Sequence, residues 1–533
     1  MSFPESKYLL WGLALLIGCV WFLSLGTRHL LPSDEGRYAE IAREMFASGD
    51  WVTIRYNDLK YFEKPPLHLW MTALAFEAFG VGDWQARLWA GISGVVGLVV
   101  TVIATRLWFG DRVALLTGLV LLATPAWIIA GHFNSLDIGV AGALACVLAG
   151  LLMAQHPLAS PAQRRQRMWL TWSAVAVAVL TKGLIGLVLP GLAVIVYAFA
   201  ARDHDIWRRL HIASGVPLML ALVAPWFVAA SLRNPEFPQF FFIHEHWQRY
   251  TSNVHQRSGA WWYFVPQLIM GFLPWLGLAP GMVKVVAAEG RAAGFRPVLF
   301  ASIWVATIFL FFSASGSKLP GYIIPLYPAL AILGGLALNR LERSSWRWHI
   351  VAMAVVTIAG VVASPFVARL GADVALRVSF RAFAPWLAVA CMLGTLGLAV
   401  AWILNRRDTT LSIVAYALSC FALVMVTLTG HESFGRDSSQ VALVAPLEAI
   451  LRPGMPVYSV RLLDHTLPFY LRRTMVMVES PGELDFGTQQ EPAKWLPTLA
   501  AFVDRWRSPQ MAAAIMTHET FDELRRQGVV MIP

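Results

Sequence analysis

Acidic and basic side chains that could act on a phosphate group occur at a few separate points of a mostly apolar sequence. They are Asp34, Glu63, Lys64, Asp137, Lys182, Arg249 and Lys318. Lys and Arg are the usual protein partners of phosphate groups, and a carboxylate can orient or activate an acceptor. Gathered in one place, these residue types would favour a phosphate-bearing ligand. The next question is which elements could gather them.

The composition indicates that these elements are membrane helices. Of 533 residues, 57% are hydrophobic and only 14% are charged, against roughly a quarter charged in soluble domains. A mean hydropathy of +0.59 cannot come from a single span of about 20 residues. These values exclude a soluble multidomain enzyme and predict a polytopic α-helical membrane protein. The 4 cysteines lie within apolar runs, which favours buried thiols over disulfides or metal ligands.

About 13 apolar runs approach the length of a membrane span. They cover residues 8–26, 88–108, 113–130, 136–153, 168–180, 184–200, 212–230, 264–283, 297–313, 322–338, 348–368, 384–404 and 411–429. The first lacks a small-residue cleavage site followed by a soluble chain, so we expect a retained span and not a signal peptide. The two short runs that flank Lys182 could be two spans or one kinked helix.

The charged loops predict which side each span end faces, because cytoplasmic loops carry the excess of Lys and Arg. One set of alternate loops holds Arg106, Arg112, Arg164, Arg165, Arg167, Arg202, Arg208, Arg209, Lys284, Arg291, Arg296, Arg340, Arg343, Arg347, Arg406 and Arg407. The opposite short loops carry only Lys182, Lys318, Arg369, Arg377 and Arg381. We therefore predict a cytoplasmic amino terminus and an extracytoplasmic carboxyl terminus.

That orientation places two long loops, 27–87 and 231–263, on the outer side. The seven candidate residues all fall on this side as well, which predicts one outer-face site for a phosphate-bearing lipid. The net charge of +10 would suggest nucleic acid in a soluble protein. Here most of the excess lies in cytoplasmic loops that set the topology, so we expect no nucleic-acid partner.

The composition changes near residue 430, which predicts a membrane domain at 1–429 and a soluble extracytoplasmic α/β domain at 430–533. Residues 456–460 and 474–478 have the pattern of strands, and residues 498–506 and 520–527 that of helices. Within this domain the pairs Asp464-His465 and His518-Glu519 are expected to be surface polar groups.

Several candidate residues also have a purely structural interpretation. Residues 33–45 could form an amphipathic helix at the membrane interface, with Ser33 or Asp34 capping its start, or a solvated surface helix whose charges pair. Asp137 could cap a helix, and Lys182 could extend its ammonium group to the interface.

Two further alternatives concern the other outer elements. Lys318 could lie in a turn beside Tyr322 of the aromatic belt. His244 and His246, separated by one residue, cannot share a helix face, although one of them with Glu63 could hold a divalent metal ion.

Six stretches together resemble the bacterial aminoarabinose transferases. They are DEGRYAEI (34–41), YFEKP (61–65), TKG (181–183), RNPEF (233–237), the segment 244–249, and SKLPGY (317–322). These enzymes are the lipid A modifying members of the GT-C membrane glycosyltransferases, which are related to protein O-mannosyltransferases. The resemblance covers nearly the whole membrane region.

This resemblance implies a transferase in the bacterial inner membrane with its active site at the periplasmic face. It would move 4-amino-4-deoxy-L-arabinose from undecaprenyl phosphate to a lipid A phosphate and so confer resistance to polymyxin. A phosphate acceptor is already anionic, so positioning and charge stabilisation should dominate over base catalysis. We expect a monomer that uses no nucleotide or organic cofactor.

The family pattern also implies roles for individual residues. Asp34 would be the leading catalytic carboxylate and Asp137 the second. The polyprenyl phosphate would be bound by Arg37, Lys64, Lys182, Arg249, Lys318 and Tyr322, the sugar by Tyr38, Tyr61 and Glu63, and a metal ion, if one is used, by Glu63 and His244. The sugar amine would pair with Glu63 or with one of the two Asp residues.

Two other functions compete with lipid A modification. The same architecture could glycosylate a protein hydroxyl, as the O-mannosyltransferases do. A polytopic transporter is disfavoured, because transporters place functional charges near the membrane midplane, whereas these candidates cluster at one surface.

Overall fold

The computed structural model describes residues 3–248, 259–290 and 294–532. Helices dominate residues 3–430. They are α1 (Phe3–Leu23), α2 (Asp34–Ser48), α3 (Leu67–Phe79), α4 (Asp83–Leu122), α5 (Pro125–Gly131), α6 (Leu136–Ala154), α7 (Pro161–Lys182), α8 (Ile185–Ala201), α9 (Ile206–Arg209), α10 (Ile212–Arg233), α11 (Phe264–Gly271), α12 (Ala279–Ala287), α13 (Pro297–Ala314), α14 (Tyr327–Asn339), α15 (Arg343–Ala363), α16 (Val374–Asn405) and α17 (Thr409–Gly430). A π-helix covers Gln239–Gln248, and 3-10 helices cover Ser24–Gly26, Leu273–Leu278, Pro320–Leu326 and Ser364–Leu370.

The expected count of 13 spans is not confirmed. Among the described residues, 8 helices are long and apolar enough to cross a membrane, or 9 if the pair bent by 89° between α11 and the following helices is one span. An apolar run in the sequence need not coincide with one helix of the structure. The expected runs 88–108 and 113–130 belong to α4 and α5, and α4 breaks at Gly110, where φ is 81°. On either side of Lys182 the structure has two separate helices, α7 and α8.

Helix α6 lies at the centre of the bundle. It packs against α4 and α7, and almost all of its side chains are buried. Its Gly142 meets the backbone of Ser93 on α4, and its Gly150 meets Thr171 on α7. Small residues allow such close approach in membrane bundles, where no hydrophobic effect drives helices together. The first turn of α6 and the last turn of α7 therefore have well-defined positions.

Residues 27–82 form an insertion that covers one end of this bundle. Its hairpin consists of β1 (Arg55–Tyr56) and β2 (Leu59–Lys60), joined by Asn57 and Asp58 with positive φ, as two-residue hairpin turns require. The carboxylate of Glu44 on α2 accepts the backbone N–H groups of both turn residues. These contacts fix the hairpin against α2.

Helix α2 corrects one sequence expectation. Residues 35–45 are all buried, so α2 is neither an interfacial nor a solvated helix. The predicted cap is also wrong, since Ser33 has a φ of 66° and makes no capping hydrogen bond. The helix is buried because it lies between the membrane helices and the carboxyl-terminal residues.

Residues 430–532 contain the predicted α/β unit. Its parallel sheet has the order β4-β3-β5, formed by β3 (Val457–Val460), β4 (Val476–Val478) and β5 (Ala513–Ile515). Its helices are α18 (Glu432–Ser438), α19 (Val444–Ile450), α20 (Leu467–Leu471), α21 (Asp485–Gln490), α22 (Leu499–Trp506) and α23 (His518–Arg526), with 3-10 helices at Val441–Leu443, Gly482–Leu484 and Pro492–Lys494. The two strands and two helices expected from the sequence are confirmed, whereas β5 was not expected.

The carboxyl-terminal unit packs directly on α2. A Cβ atom at Gly36 would collide with the backbone of His465, so glycine is required for this close approach. The His465 ring also lies 2.8 Å from the Tyr56 hydroxyl of the hairpin. The contact between the two parts of the chain covers most of the His465 side chain, which is 19% exposed, so His465 is not a freely solvated surface group.

Candidate active site

Two helix ends bring a carboxylate and an ammonium group together. Asp137 lies in the first turn of α6 and Lys182 is the last residue of α7, and their side chains form an ion pair. The Lys182 Nζ atom also lies 4.7 Å from the centre of the Tyr322 ring. Ser135, and not Asp137, occupies the N-cap position, and Lys182 pairs with a carboxylate instead of extending to the interface. Both structural interpretations of these residues are therefore wrong.

Gly321 allows the third element to reach this pair. It lies in the 3-10 helix Pro320–Leu326, and a Cβ atom there would overlap the carboxylate of Asp137. Only a glycine can bring this backbone so close. The sequence resemblance included Gly321 in a stretch but assigned it no role. The Pro-Gly pair predicts a turn and gives no sign of which side chain the turn approaches.

A buried cluster fixes the start of α2. The carboxylate of Glu35 accepts hydrogen bonds from Arg28 at 2.7 and 3.1 Å and from Arg87 on α4 at 2.7 and 3.1 Å. The backbone N–H of Asn134, just before α6, donates to the same carboxylate at 3.0 Å. Burial alone would raise the pKa of Glu35, but the two guanidinium groups lower it. Glu35 therefore stays ionised and links α2 to α4 and to the segment just before α6, the helix that carries Asp137.

Asp34 and Arg37 lie in the first turn of α2, on either side of Glu35 and Gly36 in the sequence. Arg37 Nη2 lies 3.7 Å from Asp34 Oδ1, and Arg37 Nε lies 2.9 Å from Glu483 Oε1. The Arg37 side chain is 7% exposed, whereas the Asp34 side chain is 46% exposed. Asp34 is thus the site carboxylate most open to a ligand.

Two tyrosines lie beside these charged groups. Tyr61 accepts a 3.5 Å hydrogen bond from Arg37 Nη1, and Tyr38 packs edge to face on His68 with 5.7 Å between ring centres. Burial raises the pKa of Tyr38, and the charges of Asp34, Glu63 and Asp137 raise it further, while Arg37 lowers it. The Tyr38 hydroxyl therefore stays protonated and can donate a hydrogen bond among these carboxylates.

Glu63 and Lys64 lie directly before α3 and complete the wall of the site. Lys64 Nζ lies 3.5 Å from Glu63 Oε2 and donates to the Glu63 carbonyl at 3.1 Å. Their side chains are 14% and 15% exposed. Both charges act on Glu483, so the pair borders the same space as Arg37.

Glu483 is a site residue that sequence reasoning missed. It lies in the 3-10 helix Gly482–Leu484 of the carboxyl-terminal unit and pairs with Arg37. Burial raises its pKa to about 7, with Glu63 and Asp34 adding to the effect and Arg37 and Lys64 opposing it. The segment has no charge cluster or motif that could reveal this role, because the fold alone brings it to Arg37.

Lys318 does not point into this group. Its ammonium group is buried and donates to the carbonyl oxygens of Phe312, Ser313 and Ser315 at 3.1, 2.6 and 2.7 Å. These carbonyls lie at the carboxyl end of α13, where helices leave acceptors unsatisfied. Lys318 therefore caps a helix in this structure, and a phosphate would have to compete with three carbonyl groups.

Two expected residues cannot be placed. Arg249 and the side chain of His244 lie outside what the structure describes. Among the described residues, no group of three or more His, Cys, Asp or Glu could hold a metal ion. The remaining proposed ligand, Glu63, has the Lys64 ammonium group beside it, and a cation there would have to share its carboxylate with that ammonium. The described residues therefore do not support a metal site.

The assembled site combines four carboxylates with three cations at one end of the helix bundle. The carboxylates are Asp34, Glu63, Asp137 and Glu483, and the cations are Arg37, Lys64 and Lys182. Opposite charges held together in a protein can receive an anionic group on one side and stabilise positive charge on the other.

Comparison with known proteins gives matches over the whole chain. Residues 443–532 match the family model of the aminoarabinose transferase C-terminal domain, and residues 63–228 match that of the dolichyl-phosphate-mannose-protein mannosyltransferases. The crystal structure of ArnT from Cupriavidus metallidurans bound to undecaprenyl phosphate is 51% identical, covers 98% of this chain and 95% of that chain, and has a TM-score of 0.94. Its apo form has 50% identity, the same coverage and a TM-score of 0.93.

Curated relatives carry the same kind of name. Undecaprenyl phosphate-alpha-4-amino-4-deoxy-L-arabinose arabinosyl transferases from Aeromonas salmonicida and Pseudomonas aeruginosa are each 33% identical, over 325 and 341 residues. The matches cover 61% and 62% of this chain and 58% and 60% of those proteins. The matched region thus spans less than two thirds of each curated relative.

Proposed function

Because the chain belongs to the aminoarabinose transferases of the GT-C type, we propose that it transfers 4-amino-4-deoxy-L-arabinose from undecaprenyl phosphate to a phosphate of lipid A. The observation that supports this most is the match along nearly the full chain to a transferase bound to undecaprenyl phosphate. The site adds chemical support, since three cations lie beside four carboxylates at one end of the bundle.

The donor phosphate would bind at the cationic side of the site. Arg37, Lys64 and Lys182 supply guanidinium and ammonium groups, and the Tyr322 ring flanks Lys182. Each cation already has a carboxylate partner, so the donor phosphate would replace or share ion pairs and not meet bare charges. Arg249 remains a candidate donor ligand on the family pattern.

Transfer needs no strong base, because the acceptor phosphate is already anionic. An acceptor oxygen attacks the anomeric carbon, and the bond from that carbon to the undecaprenyl phosphate oxygen breaks with its electron pair leaving on the phosphate. The sugar becomes positively charged in the transition state. Asp34, the most exposed site carboxylate, would stabilise this charge, and Asp137 would hold Lys182 against the leaving phosphate.

The amine of the sugar requires a counter-charge of its own. Glu63 lies on the site wall, and Glu483 reaches the same space from the carboxyl-terminal unit. We propose that the ammonium group binds between these two carboxylates. Tyr38 and Tyr61 would pack against the sugar ring between them and Asp34.

We further propose that the protein works as a monomer in the bacterial inner membrane with this site at the periplasmic face. The excess of arginine at the opposite helix ends supports this orientation. Modified lipid A carries fewer net negative charges, so the activity would confer resistance to cationic peptides such as polymyxin.

The test is mass spectrometry of lipid A from membranes that contain the wild-type chain, the donor lipid and lipid A. We expect addition of one aminopentose by the wild type and none by Asp34→Asn. A matched control is Asp111→Asn, which changes an exposed aspartate paired with Arg106, one of the arginines at the opposite ends. Unmodified lipid A with a folded wild-type chain would refute the proposal, and sugar on protein hydroxyls would point to the mannosyltransferase-like alternative.

A further inference from the structure

A short hairpin at the outer end of the bundle carries three exposed arginines that the proposed transfer reaction does not use. The 3-10 helix Ser364–Leu370 leads into α16, and Arg369, Arg377 and Arg381 are all exposed there. Outer loops of membrane proteins normally have few Lys or Arg residues. Three arginines within this one segment therefore call for a physical reason.

The length of α16 indicates their depth. The helix has 32 residues, which span about 48 Å, whereas the hydrocarbon core is about 30 Å thick. About 20 residues counted outward from its inner end reach Trp386, which is 42% exposed and suits the aromatic belt. Arg381 and Arg377 lie about 8 and 14 Å farther out along the helix. This is the layer that holds lipid headgroups.

The contacts of α16 show which face the arginines occupy. Ser379 donates a 2.6 Å hydrogen bond to Asp437 on α18, and Phe380 packs on Phe434 of α18. Arg377 and Arg381 are one turn apart, and both lie away from the face that Ser379 marks. Val374 and Val378, 75% and 58% exposed, flank them. A stripe of arginines and valines open to the surroundings fits the boundary between acyl chains and headgroups.

Local contacts orient these guanidinium groups without covering them. Arg377 Nε donates to the Gly371 carbonyl at 3.1 Å, and the Arg369 guanidinium lies 4.9 Å from the centre of the Phe366 ring. The nearby acids are engaged elsewhere. Asp373 accepts the backbone N–H of Leu376 as the helix cap, and Asp437 accepts the Ser379 hydroxyl. Three arginines outnumber these two acids, so the segment presents net positive charge.

Helix α18 connects the packed face of this hairpin to the segment that precedes α2. Helix α18, which packs on α16, also carries Glu432, whose carboxylate accepts the backbone N–H of His29 at 2.7 Å. His29 precedes Asp34 by five residues. The packed face of α16 is thus linked through α18 to the segment from which α2 begins, whereas the arginines lie on the opposite face of α16, open to the surroundings.

We propose that Arg369, Arg377 and Arg381 form a docking surface for a phosphate group of the acceptor lipid before transfer. The inference rests on the proposed function, which makes lipid A the acceptor. Guanidinium groups bind phosphate with paired hydrogen bonds, and several of them suit a headgroup that carries more than one phosphate. The surface would raise the local concentration of the acceptor, while the active-site cations bind the donor.

The test compares the double variant Arg377→Gln/Arg381→Gln with Arg406→Gln/Arg407→Gln, which removes two arginines from the inner end of the same helix. The full-length chain is reconstituted in nanodiscs of neutral lipid, and KM is measured for lipid A and for the donor. We expect the outer variant to raise KM for lipid A by about tenfold to thirtyfold, because each arginine near a lipid surface strengthens the attraction of anionic headgroups and the variant removes two of them. KM for the donor and the thermal melting temperature should stay unchanged, and the inner variant should match the wild type.

Direct binding of lipid A without donor separates this proposal from the proposed function. If the wild type retains lipid A and the outer variant loses it, the docking surface stands even if no sugar is transferred. Equal retention by both, or a KM for lipid A within twofold of wild type, would overturn the docking surface. If phosphatidylglycerol displaces lipid A from the wild type at equal concentration, the arginines bind bulk anionic lipid, and the assignment to the acceptor is refuted.

Discussion

The affinity for the aminosugar donor should depend on pH through Glu483, because this carboxyl group would bind the amine of the sugar. Burial raises the pKa of this carboxyl to about 7, despite the Arg37 guanidinium 2.9 Å away. About nine in ten molecules would carry the ionised form at pH 8, about half at pH 7 and about one in eleven at pH 6. Because the ionised form attracts the ammonium group, the dissociation constant of the donor should rise about tenfold from pH 8 to pH 6.

The variant Glu483→Gln keeps the size of the side chain and removes its titration. We expect it to bind the donor weakly at pH 8 and with little further change down to pH 6. The assay is equilibrium binding of the donor lipid to the full-length protein in detergent at a series of pH values. Undecaprenyl phosphate linked to a neutral pentose is the matched ligand, since it has no amine for Glu483 to bind and, like the donor, is a phosphodiester without a second ionisation near pH 6.

Two results would refute this reasoning. One is the same tenfold pH trend in Glu483→Gln, which would assign the titration to another group. The other is the same trend for the neutral-pentose phosphodiester, which would show that the pH acts on phosphate binding and not on the sugar amine. In either case the amine partner would have to be sought at Glu63 or at one of the aspartates.

Three other predictions follow from specific contacts. Gly321→Ala places a methyl group against the Asp137 carboxylate, so the rate of transfer should fall at least about tenfold with donor still bound, as single-turnover kinetics would show. Lys318→Met should lower the free energy of unfolding by about 1–3 kcal/mol and leave donor affinity intact, because Lys318 donates to three carbonyl groups. Lys64→Met should instead weaken donor affinity. Weaker donor binding by Lys318→Met with unchanged melting would contradict the structure. Glu35→Gln leaves two buried guanidinium groups without a counter-charge and should cost about 3–5 kcal/mol, so a melting temperature equal to wild type would be inconsistent with its anchoring role.

Local patterns in the sequence predict the class of the protein and the chemistry of its site. Apolar runs and alternating arginine loops predict a bundle of membrane helices, and the stretches around Asp34, Lys64 and Lys182 predict the residues that meet in it. The exact span count escapes this approach, because α4 covers the run 88–108, bends at Gly110 and continues through residues 113–122 of the next run, whose remainder lies in the short helix α5. Hydropathy measures composition along the chain and does not register where a helix bends.

Contacts between distant segments were decided only by the tertiary structure. Lys318 and Lys182 carry the same charge, yet Lys318 caps a helix and Lys182 pairs with Asp137. Glu35 and Asp34 are neighbours in the sequence, but one is buried between two arginines and the other is open to a ligand. A side chain's role here depends on which partner the fold brings to it, and a motif does not contain that information.

The sequence by itself determined that this is a polytopic membrane protein and predicted phosphate-binding residues at one face, because hydropathy and charge are properties of residues taken one at a time. The tertiary structure alone decided that the carboxyl-terminal unit takes part in the site through Glu483. That residue lies 446 positions after Arg37 and meets it only when α2 is buried beneath the α/β unit. An interaction over such a separation depends on packing, and no local pattern records it.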